Sequence, residues 1–139
     1  MSEQNKEVAL RFMKAMGTND PETAATCLAP DAVAIAKGYG KFAGARRADV
    51  MVGMIEEFKK MMPNGLNFTI KTVTGEDDRV AIEAEGNAVT SLGTPYRNQY
   101  VFLFTLADGK IKQVNEYFCN VHATEVLWPL VEEAQKEQA

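Results

Sequence analysis

The stretch Gly109-Lys110-Ile111-Lys112-Gln113-Val114-Asn115-Glu116-Tyr117-Phe118-Cys119-Asn120-Val121-His122 decides how this chain is read. It opens on the turn Ala107-Asp108-Gly109-Lys110, runs as the last strand of a meander, and hands over to a C-terminal helix from about His122 to Glu137. Its final residues bring together a carboxylate, a phenol, a thiol, an amide and the only histidine of the chain. Period two places Lys112, Val114, Glu116 and Phe118 on one face, and Ile111, Gln113, Asn115, Tyr117 and Cys119 on the other.

Working outward, Leu66 to Asn120 reads as strand, turn, strand, with further breaks at Gly75-Glu76-Asp77-Asp78 and Ser91-Leu92-Gly93-Thr94-Pro95. This spacing predicts four long antiparallel strands. Ahead of them, Val8, Phe12 and Met16 recur at helical spacing between Glu3 and Met16, and Gly17 is a stop. Asp20-Pro21 supplies a cap and a first-turn proline for a short second helix that ends before Pro30-Asp31. Ala32 to Ala36 is a short extended piece, and Lys37 to Gly44 a glycine-rich loop. A third helix starts near Ala45, carries Met51, Ile55, Phe58 and Met62 on one face, and stops at Pro63-Asn64-Gly65. Helices first and a meander afterwards predict a single α+β domain over residues 1–139, with helices covering the concave face of a curled antiparallel sheet.

The third long strand adds an expectation about assembly. From Tyr100 onward both of its faces are apolar, so both need cover. A second copy of the chain is the simplest cover for the outer face, which predicts a homodimer with Tyr100, Phe102 and Phe104 buried in its interface.

Composition narrows the function classes. With 46% hydrophobic residues the chain can build one core, and 15 basic against 19 acidic residues leave no basic stripe for a phosphate backbone. No nucleic-acid partner is expected. The polar N-terminus lacks an apolar leader core, and the longest strongly apolar run, Val101 to Phe104, is far too short to span a bilayer. A cytoplasmic protein with no membrane partner is expected. Cys27 and Cys119 lie far apart with no Cys/His cluster, so free thiols and no metal site are predicted. Gly38-x-Gly40 lacks the strand, turn, helix context and third glycine of a dinucleotide fingerprint, so no cofactor is expected.

The order of helices, the Pro30-Asp31 break, the glycine-ended loop before the third helix, and Asp108-Gly109-Lys110-Ile111 followed by Glu116-Tyr117 carry a resemblance over almost the whole chain. They resemble the SnoaL-like and ketosteroid-isomerase-like branch of the nuclear transport factor 2-like superfamily, which implies a cone-shaped α+β fold. Ketosteroid isomerases abstract a proton with an aspartate and hold the enolate with a tyrosine and a protonated aspartate. Matched to this chain, those places fall on Ala36, Phe12 and Val101, all chemically inert. SnoaL-like cyclases and limonene-epoxide-hydrolase relatives carry an acid–base aspartate three residues beyond the matched glutamate. Here that place is Cys119.

The resemblance implies that Val114, Glu116 and Phe118 face a cavity. A carboxylate between two apolar neighbours in a partly dry pocket has its pKa raised toward neutrality, as a general acid or base requires. The alternative is a surface carboxylate paired to Arg97. His122 is a candidate proton relay at the cavity mouth, or else a solvated residue at a helix start. Cys119 is a candidate ligand contact if a bulge turns it inward, or else a buried small hydrophobe. Gln99 shares a face with Val101, a position matched to the cavity, and is a candidate hydrogen-bond donor to a ligand carbonyl. Tyr39 is a second candidate hydrogen-bond donor at its mouth, or else a plug of the core. These readings predict a pocket for a small hydrophobic ligand and metal-free isomerase, cyclase or dehydratase chemistry, with a non-catalytic ligand-binding or dimerisation domain as the alternative.

Overall fold

A computed structural model describes residues 2–138. Three helices precede the main meander: α1 (Ser2–Gly17), α2 (Pro21–Thr26) and α3 (Ala48–Met61). Between the last two run β1 (Leu28–Ala36) and β2 (Gly44–Arg47); then come β3 (Thr69–Glu76), β4 (Arg79–Val89), β5 (Pro95–Ala107), β6 (Lys110–Phe118) and α4 (Asn120–Gln138). The local signals act as expected at the helix starts and stops. Asp20 caps α2 by accepting the Thr23 amide at 3.1 Å, with Pro21 at the first helical position.

The six strands form one open sheet in the order β2-β1-β6-β5-β4-β3. Three features correct the sequence reading. First, β1 pairs with β6 in parallel, so the sheet is not wholly antiparallel. Second, β1 starts at Leu28 and runs through Pro30-Asp31, which lies in a register irregularity between Leu28 and Val33. Proline has no ladder donor and is tolerated where pairing is already interrupted. Third, Gly44 to Arg47 pairs with Ala36 to Val33 as an edge strand, so α3 begins at Ala48 and not near Ala45.

The helices lie on one face of the sheet, and β5 shows which face that is. Tyr96, Asn98, Tyr100, Phe102, Phe104 and Leu106 are buried, while Arg97, Gln99 and Val101 are exposed. Tyr100, Phe102 and Phe104 are therefore covered by their own helices and loops, not by a second copy, which overturns the interface expected from this strand. Phe12 of α1 meets Phe104 edge to face with centroids 6.0 Å apart, and Phe68 does the same to Tyr100 at 5.2 Å.

The core falls into two clusters. One gathers α1, α2 and most of α3 over the middle of the sheet; the other joins the end of α3, Phe42 and α4 over Ala88 and Tyr96. Phe68 and Phe118 pack against both. The seam between the two clusters is where the molecule keeps an internal space.

Candidate functional site

A cavity of about 90 Å³ occupies that seam. Met51, Ile55 and Phe58 of α3, with Met62 at its C-cap, form one wall, and the sheet supplies the opposite one through Ala36, Tyr100, Phe102, Glu116 and Phe118. The lining is almost wholly apolar and rich in methionine and phenylalanine.

Glu116 is the group that departs from it. On β6 it lies between Ala36 of β1 and Phe102 of β5, its paired neighbours across the two ladders. Its backbone carbonyl accepts the Lys37 amide at 2.9 Å, which fixes the end of the strand against the following loop. Among the described residues no side chain hydrogen-bonds to or ion-pairs with its carboxylate. Burial disfavours the charged form and pushes its pKa up to about 7, partly offset by the positive charge of Arg46 on the cavity wall.

A second polar group, which the sequence reading missed, lies on the inner face of β5. The buried side chain of Asn98 accepts the amides of Gln99 at 2.8 Å and Cys119 at 3.0 Å, and donates to the Cys119 carbonyl at 3.0 Å and the Tyr96 hydroxyl at 2.7 Å. The Tyr100 hydroxyl donates to that of Tyr96 at 3.5 Å. Tyr96 and Tyr100 both line the cavity, and burial raises the pKa of each above the ordinary phenol range. The signal in the sequence was Tyr96, Asn98 and Tyr100 at successive alternate positions, all on one face.

The sequence-derived candidates divide sharply. Glu116 and Phe118 line the cavity; Val114 shares their face but is fully buried in the core beneath it. Gln99 and Val101 are on the opposite, outer face, where Gln99 donates to Glu85 at 3.1 Å. The proposed inner face of β5 was thus wrong by one residue, and a shift of one reverses every side chain. Of the other two positions matched to isomerase residues, Ala36 lines the cavity and Phe12 is core. Cys119 is not buried and does not line the cavity: it is exposed, and Asn98 holds its backbone.

Tyr39 points into solvent instead of across the cavity mouth. Its neighbours explain this. A Cβ on Gly38 would come within 2.6 Å of Asn120 Nδ2, and one on Gly40 within 2.8 Å of Asn120 Cβ, so the loop lays its glycines against Asn120 and turns Tyr39 away. His122 is half-buried at the start of α4, with its ring stacked on Tyr96 at 5.3 Å and 14°; it does not line the cavity. Among the described residues, no three metal-ligating side chains converge. No helix among them is long and apolar enough to cross a membrane.

The mouth lies between α3 and α4. An outer groove of about 450 Å³ shares Phe42, Arg46, Met54 and Phe58 with the cavity, so these four side chains separate the inner space from the outer one. Phe42 meets Trp128, the single tryptophan, edge to face at 5.4 Å, and Lys41 lies 5.3 Å above the same indole.

The profile of the SnoaL-like domain matches residues 9–114. No curated protein sequence matches the chain. Among solved structures it is similar to PrhC from Penicillium brasilianum NBRC 6234, with a TM-score of 0.81 at 18% identity, covering 96% of this chain and 91% of that one. It is also similar to an LEH-like epoxide hydrolase from M. tuberculosis, with a TM-score of 0.73 at 15% identity over 97% and 98% of the two chains. A third is a protein of ketosteroid isomerase-like fold from Catenulispora acidiphila DSM 44928 in complex with trimethylamine, with a TM-score of 0.75 at 17% identity over 86% and 91%. At these identities the likeness is one of fold.

Proposed function

The chain belongs to the SnoaL-like domain family, and from that premise we propose that it is an enzyme working by acid–base chemistry on a small hydrophobic molecule, with Glu116 moving the proton. One observation carries this reading: a carboxylate without a partner among the described side chains, set in the wall of an apolar cavity and held near pKa 7. Such a group is populated in both protonation states at neutral pH, the condition under which a side chain can take a proton and return it. A structural carboxylate would be expected to have a basic partner, and a plain apolar binding pocket has no use for a charge that costs free energy to bury.

The reaction is an isomerisation, cyclisation, dehydration or hydrolysis in which Glu116 acts directly on the substrate or on a water. Phe118, Tyr96 and Tyr100 and the α3 methionines shape the space around it. The cavity of about 90 Å³ is smaller than the roughly 300–1,000 Å³ of most ligand sites, so a substrate enters by displacing side chains at the mouth. Methionines suit this, since their thioether arms repack at little cost. His122 stacks on Tyr96 and acts as a positioning residue, not as a proton relay. Pairing of two copies across the outer sheet face would rest on Val101 and Tyr117, which are exposed and face each other across β5 and β6.

The test is turnover of a panel of small apolar ketones, epoxides and lactones by the purified chain. Activity that falls about a hundredfold in Glu116→Gln, with the fold intact by circular dichroism, supports the reading. Full activity in that variant overturns it.

A further inference from the structure

We propose that the Tyr96 hydroxyl is the group that holds an oxygen of the ligand, so that the cavity takes a small molecule bearing a carbonyl and not a pure hydrocarbon. The proposal deepens the reading above and rests on the same cavity.

It follows from counting protons around Tyr96. The orientation of the Asn98 amide is fixed by the backbone: its oxygen accepts two N–H groups, those of Gln99 and Cys119, and its nitrogen donates to the Cys119 carbonyl. Only Nδ2 can therefore face Tyr96, and at 2.7 Å it must donate to the phenol oxygen. The Tyr100 hydroxyl donates to the same oxygen. Tyr96 thus accepts twice, and among the described residues nothing accepts its own proton.

The residue is 2% exposed, and its ring forms part of the cavity wall. A buried O–H without an acceptor costs free energy, which an oxygen brought in by a ligand would recover. The two donations also polarise the phenol and make it a better donor than a lone tyrosine.

The placement of Glu116 gives the site its chemistry. Tyr100 pairs with Phe118, and Glu116 is two residues along β6 on the same face, making Tyr100 and Glu116 diagonal neighbours across the ladder. A carbonyl compound with its oxygen on the tyrosine pair would present its adjacent carbons toward the carboxylate. A hydrocarbon of equal shape would leave the phenol proton without a partner.

The experiment compares cyclohexanone with methylenecyclohexane, which has the same shape but no acceptor, by NMR titration of wild type, Tyr96→Phe, Tyr100→Phe and Glu116→Gln. The expected result is that Tyr96→Phe weakens cyclohexanone about tenfold and leaves methylenecyclohexane unchanged, the effect of losing one hydrogen bond. Tyr100→Phe should weaken the ketone only a few-fold, because Tyr96 keeps its proton. Isotope-edited infrared spectra of the bound ketone in the wild type should show the carbonyl stretch lowered from its value in an apolar solvent, and this reading stands even if Tyr96→Phe fails to fold. Equal responses of the two probes to Tyr96→Phe, no binding of either probe to the wild type, or an unshifted stretch overturns the proposal. Glu116→Gln should leave the ketone's dependence on Tyr96 intact, so a failure of the acid–base reading shows in turnover and a failure of this one in the probes.

Discussion

Two glutamates on the same sheet show what position does to one chemical group. Glu85, on the outer face of β4, accepts from Gln99 at 3.1 Å and pairs with Lys71 at 3.2 Å, and these partners lower its pKa. Glu116, on the inner face of β6, has no such partner among the described residues, and burial raises its pKa to about 7. The partnered surface carboxylate considered for Glu116 is realised at Glu85, where Arg97 adds a further favourable charge. The difference lies in which face of the sheet each strand position meets, so the comparison stands or falls on the assignment of faces.

The largest expected effect tests that assignment. Phe102 is buried opposite Glu116, and its immediate neighbour Val101 is 39% exposed on the other face. Phe102→Ala should cost about 3–5 kcal/mol in urea unfolding, the range for an emptied aromatic core site. Val101→Ala should cost less than about 1 kcal/mol. Similar losses at both positions would mean that something covers the outer face and that β5 is buried on both sides.

Next is the chemistry. Glu116→Gln should lower turnover about a hundredfold, while Glu85→Gln should leave it within about twofold, since only the first carboxylate reaches the cavity. The wild-type rate should also change through pH 7, rising with pH if Glu116 acts as base and falling if it acts as acid; Glu116→Gln should lose that inflection. An inflection that survives the substitution assigns it to another group.

The inward placement of Glu116 and Phe118 was legible in the sequence, the placement of the β5 side chains was not, and the difference has a physical cause. On β6 the polar Gln113, Asn115 and Tyr117 alternate with Val114 and Phe118, so period two separates the faces and puts Glu116 inward. On β5 the run from Tyr100 to Phe104 is apolar at every position, and alternation gives no direction. The match to the isomerase pattern then placed Val101 inside, and the one-residue error substituted Gln99 for Asn98 and hid the Tyr96, Asn98, Tyr100 group. The edge strand β2 was invisible for a different reason: Gly44-Ala45-Arg46-Arg47 has little strand preference and is held by pairing with β1. Tyr39 was misplaced because the packing of Gly38 and Gly40 on Asn120 joins residues some 80 positions apart in the chain.

The two glutamates should also give stability opposite dependences on pH. Glu116 binds its proton more tightly in the folded chain than in the unfolded one, so as pH rises from about 4.5 to about 7 the unfolded state releases a proton that the folded state keeps, and stability falls. Above pH 7 the loss is complete, reaching at most roughly 3–4 kcal/mol, and Glu116→Gln should be the more stable protein there by a comparable amount. Glu85 has a lowered folded pKa, so its favourable contribution is present above the ordinary carboxylate range and disappears as pH falls through its folded pKa. Urea midpoints for the two Gln variants, taken from well below the ordinary carboxylate range up to pH 8, separate the contributions, and parallel curves would break the contrast.

The smallest effect is expected at Cys119, the place matched to the acid–base aspartate of SnoaL-like cyclases. Its backbone N–H and C=O are both held by the Asn98 amide, which continues the ladder one step past Phe118, and its side chain is exposed. No bulge turns it inward, so the thiol has no part in the cavity. Cys119→Ser should leave turnover unchanged and shift stability by less than about 0.5 kcal/mol. Cys119→Asp should likewise fail to replace the acid–base group in Glu116→Gln, because a carboxylate there would face water. Rescue of Glu116→Gln by that second substitution would show that the end of β6 can rotate its last residue into the cavity, and the contrast between the two faces would have to be redrawn at its most distal position.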